Sequence, residues 1–158
     1  YPGDTNDEKD PPVPASTWVR TPTTIEFDDP DYGFTLPETV FGVVTYKDLR
    51  VSTITTSPMS ETARFTEAIL RLTEVQNTLQ KRGWKLQAKD KNRWFKLESA
   101  TEQKQLQENL FDQTSSISLL APGKYSLFLS IKCFEHCSAR NTKTAMYLID
   151  ISIGRDRT

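Results

Sequence analysis

The sequence predicts an α+β fold, a mostly antiparallel sheet of short strands with two amphipathic helices packed on one face. Short runs of alternating apolar and polar residues recur along the chain, and turn residues separate them. The apolar spacing changes to a helical period over 60–82 and again over 99–113. With 158 residues, 36% of them hydrophobic, the chain has the composition of one ordinary globular domain.

The N-terminal segment 1–17 differs in composition from the rest of the chain. It is polar, contains four prolines and has no large aliphatic residue besides Val13. This composition predicts a disordered acidic tether, which leaves 18–158 as a single α+β domain. The chain begins at Tyr1 without a methionine, which indicates processing or trimming. A tether behind a removed leader would suit an exported protein with a lipid anchor upstream of residue 1.

Four short strands are expected in the first part of the domain. They are 23–27, 32–36, 39–46 and 49–55. The acidic turn 28–31 separates the first two strands. The last two are rich in Val, Ile and Thr and form a predicted hairpin around Lys47 and Asp48. Gly42 inside this hairpin indicates a bulge or a close backbone approach.

The first helix is predicted over 60–82. Its apolar positions at helical spacing are Phe65, Ile69, Leu72, Val75 and Leu79. Ser60 is the expected N-cap, and Gly83 is the expected stop at the C-terminal end. Such an amphipathic helix buries one stripe of side chains, most simply on a sheet.

A hairpin, a helix and three further strands complete the prediction. The hairpin consists of 84–88 and 93–97 around the turn 89–92. Ser99 and Glu102 fit the capping-box pattern, so the second helix begins there and runs to about residue 113. The three strands that follow are 115–121, 125–134 and 145–153.

Two cysteines, Cys133 and Cys137, flank the only histidine of the chain, His136. Their spacing straddles a predicted strand end and loop, where two Cα atoms can approach the ~5.5 Å that a disulfide needs. Free thiols are the alternative, whereas a structural zinc site would need four ligands and finds no second Cys or His pair. A disulfide would indicate an oxidising compartment, such as the bacterial periplasm or the cell exterior.

The sequence contains no recognisable catalytic or cofactor motif. Any Ser-His-Asp or Cys-His mechanism would have to use His136, and no partner carboxylate is marked for it. Asp28, Asp29 and Asp31 flank Pro30, where turn chemistry explains them, and they lack the twelve-residue calcium loop with its closing Glu. Neither glycine-rich phosphate motif occurs. We therefore expect no enzyme, no cofactor and no metal site.

Charge is distributed unevenly along the chain. Residues 1–38 carry nine acids and two bases, whereas 81–104 carry eight bases and three acids. Trp84, Trp94 and Phe95 interleave with these bases, a pattern that suits single-stranded nucleic acid but also a half-buried hairpin. The pI of about 5.9 argues against a nucleic-acid partner. A solvated basic face and a face that docks an acidic protein both remain open.

A polar tether, a small α+β domain, a helix ending in Leu79-Gln-Lys-Arg-Gly-Trp84 and one cysteine pair are combined in this chain. In outline, over 18–158, it resembles the periplasmic immunity proteins of bacterial toxin systems. The resemblance implies a non-enzymatic protein-binding domain that inhibits a cognate secreted effector by occluding it. It matches no family motif, so it assigns no functional residues. The alternatives are a structural or assembly lipoprotein of the cell envelope, and an enzyme with an unrecognised site.

We expect the partner protein to bind at exposed charged clusters, because such patches steer association. The candidates are Lys85, Lys89, Lys91 and Arg93 in the basic stretch, and Asp28, Asp29, Asp31 and Tyr32 in the acidic turn. The loop 135–143 is a third candidate. No run of residues is apolar and long enough to predict a transmembrane segment.

Overall fold

The computed structural model describes residues 15–19, 21–47 and 50–156, and over them the predicted α+β class is confirmed. The strands are β1 (Ala15–Trp18), β2 (Glu26–Phe27), β3 (Phe34–Thr35), β4 (Gly42–Lys47), β5 (Arg50–Thr56), β6 (Ala63–Arg64), β7 (Lys85–Leu86), β8 (Ser115–Ala121), β9 (Tyr125–Glu135) and β10 (Met146–Arg155). The helices are α1 (Phe65–Lys81) and α2 (Ala100–Leu110). Residues 1–14 of the predicted tether, and the hairpin residues Asp48 and Leu49, lie outside the described residues.

The main sheet is antiparallel at every strand pair. Its strand order is β1-β4-β5-β10-β9-β8-β7, β6 also pairs with β10, and β2 and β3 form a separate small sheet. The long strands β8, β9 and β10 lie side by side because consecutive hairpins join them. In their register Ile117 lies opposite Leu129, and Leu129 lies opposite Ile151. Opposite residues share a face, so apolar rows cross the sheet.

One face of the main sheet carries the hydrophobic core. Its buried side chains on β8 to β10 are Ile117, Leu119, Leu127, Leu129, Ile131, Tyr147, Ile149, Ile151 and Ile153. The helix α1 contributes Ala68, Ile69, Leu72, Val75 and Leu79 to the same core. The helix α2 adds Leu110, and β3 adds Phe34. Both helices therefore pack on one face, as predicted, and the small sheet packs there with them.

The helix α1 begins at Phe65, later than the predicted residue 60. The strand β6 precedes it directly and pairs with β10, so the backbone there is extended and cannot be helical. Arg64 is therefore the N-cap, without a side-chain cap bond, and the prediction of Ser60 was wrong. The end was predicted correctly, since Lys81 closes the helix and Gly83 adopts a φ of 87° that favours glycine.

The predicted hairpin of 84–88 with 93–97 is not formed. Only β7 is a strand in this stretch, and it pairs with β8. The backbone of 93–97 finds its partner on α1, where the Gln76 side chain donates from Nε2 to the Phe95 carbonyl at 3.0 Å. The Phe95 N–H in turn donates to Gln76 Oε1 at 2.9 Å. The Gln76 side chain therefore makes the two backbone hydrogen bonds that a neighbouring strand would have made with this segment.

The second helix and the last three strands follow the prediction closely. The capping box is present, with the Glu102 N–H donating to Ser99 Oγ and the Ser99 N–H donating to Glu102 Oε1, each at 3.1 Å. The helix ends at Leu110, before the expected residue 113. Neither described helix combines the length and apolar character that crossing a membrane would require.

The predicted disulfide is confirmed. Cys133 and Cys137 are bonded at the end of β9, with a sulfur–sulfur distance of 2.09 Å and a Cα–Cα distance of 6.0 Å. His136 inside the ring adopts a φ of 59°, in the left-handed region that most residues avoid. The bond therefore closes a tight turn that directs the chain away from the sheet.

The start of the domain shows a close approach at Gly42. A Cβ atom there would lie 2.9 Å from Ile25 Cδ1 and 3.1 Å from Val19 Cγ2, so side chains rather than another backbone segment pack closely against the glycine. The register of β4 and β5 shifts between Thr45 and Tyr46, away from the glycine. The strand β1 includes residues 15–17 of the segment predicted to be a tether, and it pairs with β4.

Candidate functional site

The second face of the main sheet carries side chains that no described helix covers. We call this surface the open face. On the three long strands it comprises Ser116, Ser118, Leu120, Ser126, Phe128, Ser130, Lys132, Phe134, Leu148, Asp150 and Ser152, and Thr53 and Thr55 continue it on β5. These positions alternate with the buried core residues, because successive side chains of a strand point to opposite faces.

Two phenylalanines stand out from the open face. Phe128 is 44% exposed and Phe134 is 55% exposed. Phe128 lies opposite Ser118 on one neighbouring strand and Ser152 on the other. Serines are too small to cover an aromatic ring, so the ring of Phe128 rises above its neighbours. Large exposed aromatic side chains on an otherwise polar surface are a common feature of protein interfaces.

An ion pair lies between the two phenylalanines. Lys132 Nζ is 3.8 Å from Asp150 Oδ2 and 5.8 Å from the centroid of the Phe134 ring. Burial raises the pKa of Asp150 above its usual value, and the charge of Lys132 opposes that rise. The Asp150 carboxylate is therefore partly desolvated, and it lies beside Lys132, whose ammonium group faces the Phe134 ring.

Two residues of the predicted basic stretch reach the rim of the open face. Lys85 lies opposite Leu120 in the pairing of β7 with β8, so its side chain is on the open side. Lys89 Nζ donates to Ser118 Oγ at 3.2 Å. The structure thus places both lysines beside the strand that neighbours Phe128.

The other two predicted residues of the basic stretch point elsewhere. Lys91 is exposed in the loop and has a φ of 61°. Arg93 donates from Nη1 to the Asn92 carbonyl at 2.9 Å and lines a groove against α2. The predicted cluster of four therefore divides between the open face, the loop tip and the groove.

Asn92 anchors the loop of the basic stretch, and sequence reasoning missed it. It is 5% exposed, and its Oδ1 accepts the Ser118 N–H at 3.0 Å. Its Nδ2 donates to the carbonyls of Ser118 at 2.8 Å and Gln87 at 2.7 Å. The amide therefore pairs with the edge of β8 as a peptide group would. An asparagine in a loop is typical of a turn, so the sequence carries no signal for this role.

The acidic turn is organised around Asp29, which is 7% exposed. Its Oδ1 accepts the N–H groups of Asp31 at 2.9 Å and Tyr32 at 2.8 Å, and its Oδ2 accepts the Tyr125 hydroxyl at 3.0 Å. Lys124 Nζ lies 3.7 Å from the same oxygen. The Tyr32 N–H above all, with the other partners, lowers the pKa of Asp29 against the opposing effect of burial. Asp29 therefore joins the acidic turn to Tyr125 inside the fold, and little of its surface is exposed.

An aromatic cluster joins the acidic turn to the start of the basic stretch. The Tyr32 and Trp84 rings lie 5.9 Å apart, and Trp84 Nε1 donates to the Tyr32 carbonyl at 3.0 Å. Trp84 directly precedes Lys85, so the two predicted clusters are neighbours at one end of the sheet. Asp28 and Asp31 remain exposed there, with Asp31 Oδ2 3.6 Å from Lys124 Nζ.

The third candidate, the loop 135–143, lies at the opposite end of the long strands. Arg140 Nη1 donates to Asp112 Oδ1 at 2.7 Å, which lowers the pKa of that carboxyl. Arg64 donates to the carbonyl of Lys143 at 2.9 Å. The structure therefore separates this loop from the other two clusters and fixes it to Asp112, which follows α2, and to β6.

His136, the only histidine of the chain, is exposed in the turn that follows β9. His136 Nε2 lies 4.0 Å from Glu135 Oε2, and the histidine side chain is 66% exposed. Among residues 15–19, 21–47 and 50–156, no three His, Cys, Asp or Glu side chains are grouped so that they could hold a metal ion.

No family model matches the sequence, and no significant match was found among curated proteins or among solved structures. A functional assignment therefore depends on the geometry of this chain alone.

Proposed function

We propose that the chain is a non-enzymatic protein-binding domain that acts by covering the surface of a partner protein with its open face. Immunity proteins act in this way on their effectors. The observation that carries the proposal is the exposure of Phe128 and Phe134 on the face of the sheet opposite the hydrophobic core. A secreted enzyme is the partner this reading implies, and inhibition by occlusion is the mechanism.

The two phenylalanines are the anchors of this surface. Burying an aromatic side chain completely gains about 1.5–3 kcal/mol, and a few such anchors carry most of the affinity of an interface. Around them the open face is polar and rich in small hydroxyl side chains, which can bond to a partner or to bridging water. The partner surface should therefore have an apolar centre with hydrogen-bonding groups around it.

The charges at the edge of the open face indicate which charge the partner surface carries. Lys85 and Lys89 stand at the edge of the open face, whereas the charge of Lys132 is matched by Asp150. These two lysines give this edge of the open face a positive charge. We infer that the partner carries acidic residues around its apolar centre, since complementary rims speed association and exclude wrong partners.

The disulfide supports an oxidising location for this binding, in the periplasm or outside the cell. A domain that binds a secreted enzyme would act in such a compartment. Attachment to the envelope through a lipid upstream of residue 1 belongs to the same proposal. An assembly lipoprotein would share the location, so the identity of the partner separates the two functions.

A pull-down from the native cell envelope tests the proposal. The bait is the full chain, compared with a Phe128→Ser/Phe134→Ser double variant and with Leu70→Ser as the matched control. Leu70 is 64% exposed, but it lies on α1, behind the covered face. We expect the wild type and the control to retain one stoichiometric enzyme, and the double variant to lose it.

Two further readouts complete this experiment. The retained enzyme should lose activity when the wild-type chain is added in equal amount. Retention of the same protein by the double variant, with unchanged circular dichroism, would contradict the proposed surface. Recovery of envelope assembly machinery would support the lipoprotein function instead.

A further inference from the structure

We infer that the edge of β8 at Ser116 is a second binding site, which takes an extended acidic peptide segment as an added strand. This site goes beyond the open face, since it uses the strand's backbone and a groove on the covered side. The occupant is a segment of a protein partner.

Different parts of the chain form hydrogen bonds with the outer edge of β8 at successive residues. The strand β7 pairs with Leu119 and Leu120. At Ser118 the Gln87 N–H donates to the carbonyl at 2.9 Å, and the Asn92 amide pairs with both the carbonyl and the N–H. The backbone groups of Ser118 therefore point away from β9, toward the outside of the sheet.

Ser116 is the next residue with outward backbone groups. In an antiparallel strand, residues two apart direct their N–H and C=O to the same side, and the register of β8 with β9 has no irregularity here. Within the described part of the chain, nothing pairs with the outward N–H and C=O of Ser116. An unpaired edge of this kind is a template for another strand.

A groove of 430 Å³ lies beside this edge. The segment 93–96 forms one wall, α2 forms the other, and the start of β8 runs along it. Its lining includes Arg93, Trp94, Lys96, Leu106, Asn109 and Ser116. An added strand would therefore be held by β8 on one side and enclosed by side chains below.

The charges of the groove select an acidic occupant. Arg93 and Lys96 line one wall. The only acid in the lining is Glu102, and its Oε1 already accepts the Ser99 N–H in the capping box. Acidic residues of a bound segment can therefore pair with the two bases without a competing carboxylate.

The floor of the groove adds a requirement for apolar residues. Leu106, Trp94 and Ile117 lie on the side of the covered face, where they are half-buried or buried. Alternate side chains of an added strand would point at this floor. The others would point toward the open side, where the long and exposed side chains of Arg93 and Lys96 can reach them from the wall. The preferred segment thus alternates apolar and acidic residues.

Fluorescence anisotropy with a labelled peptide of alternating valine and glutamate tests the site. The full chain should bind this peptide, and Ser116→Pro should weaken binding by at least about tenfold because proline removes the N–H donor. Proline is tolerated on an edge strand whose N–H faces outward, so the fold should persist. Two peptides are N-methylated, each at one of the two sets of alternate residues. One of them should lose binding to the wild-type chain to a similar extent, because only one set of N–H groups faces β8.

Charge variants provide the matched comparison. Arg93→Glu/Lys96→Glu should also weaken binding, whereas Lys104→Glu, on the same helix as the groove wall but outside its lining, should not. The inference is overturned if the peptide fails to bind the wild type. It is equally overturned if both N-methylated peptides bind as tightly as the parent, a result independent of how Ser116→Pro folds.

Discussion

Asp29 illustrates how a charged residue is used at the scale of a single side chain. Its carboxylate receives two backbone N–H groups and the Tyr125 hydroxyl, with Lys124 close by. The sequence suggested both a turn and a binding cluster for this region, and the turn explains Asp29 itself. Which of several neighbouring aspartates turns inward depends on Tyr125, 96 residues away, so the pattern of acids could not identify it.

Replacing Asp29 should destabilise the fold in a pH-dependent way. Its folded pKa lies below 3.8, so its contribution is complete above the unfolded pKa and is lost as pH falls through the folded value. Asp29→Ala should therefore lower the melting temperature at pH 7. The difference in melting temperature from wild type should be smaller at an acidic pH below the unfolded pKa of about 3.9. Thermal melts at both pH values test this, with Asp31→Ala as the exposed control. A difference in melting temperature between Asp29→Ala and wild type that stays constant with pH would contradict this stabilising role of Asp29.

At the scale of elements, local sequence motifs correctly predicted those helix ends and strands that depend only on neighbouring residues. The capping box at Ser99 and the stop at Gly83 are examples. The start of α1 and the segment 93–97 were misjudged because distant partners decide them. The strand β6 is extended through its pairing with β10, and Gln76 of α1 takes both backbone groups of Phe95.

The disulfide at the end of β9 is an element-scale constraint whose loss can be measured. Closing so short a ring removes chain entropy from the unfolded state worth about 2 kcal/mol. The Cys133→Ser/Cys137→Ser double variant should lower the free energy of unfolding by about that amount in urea titrations. Adding a reductant to the wild type should give a similar loss, and an unchanged urea midpoint in both cases would refute the contribution.

For the whole molecule, composition and periodicity were enough to predict the α+β class and the packing of both helices on one face. They could not single out the open face, which we propose as the binding surface. Phe128 and Phe134 alternate with buried residues, and in the sequence they read as further apolar positions of a strand. Their exposure follows from the placement of both helices and the small sheet on the other side, which is a property of the assembled fold.

The central claim is that the open face binds a partner protein, and site-specific photo-cross-linking in the native cells tests it most directly. A benzophenone amino acid replaces Phe128 in one variant of the full chain and Leu70 in another, since both positions are exposed but lie on opposite sides of the molecule. The account predicts that irradiation joins one discrete protein to position 128 and none to position 70. A cross-link at position 70 alone, or at neither position, would contradict it.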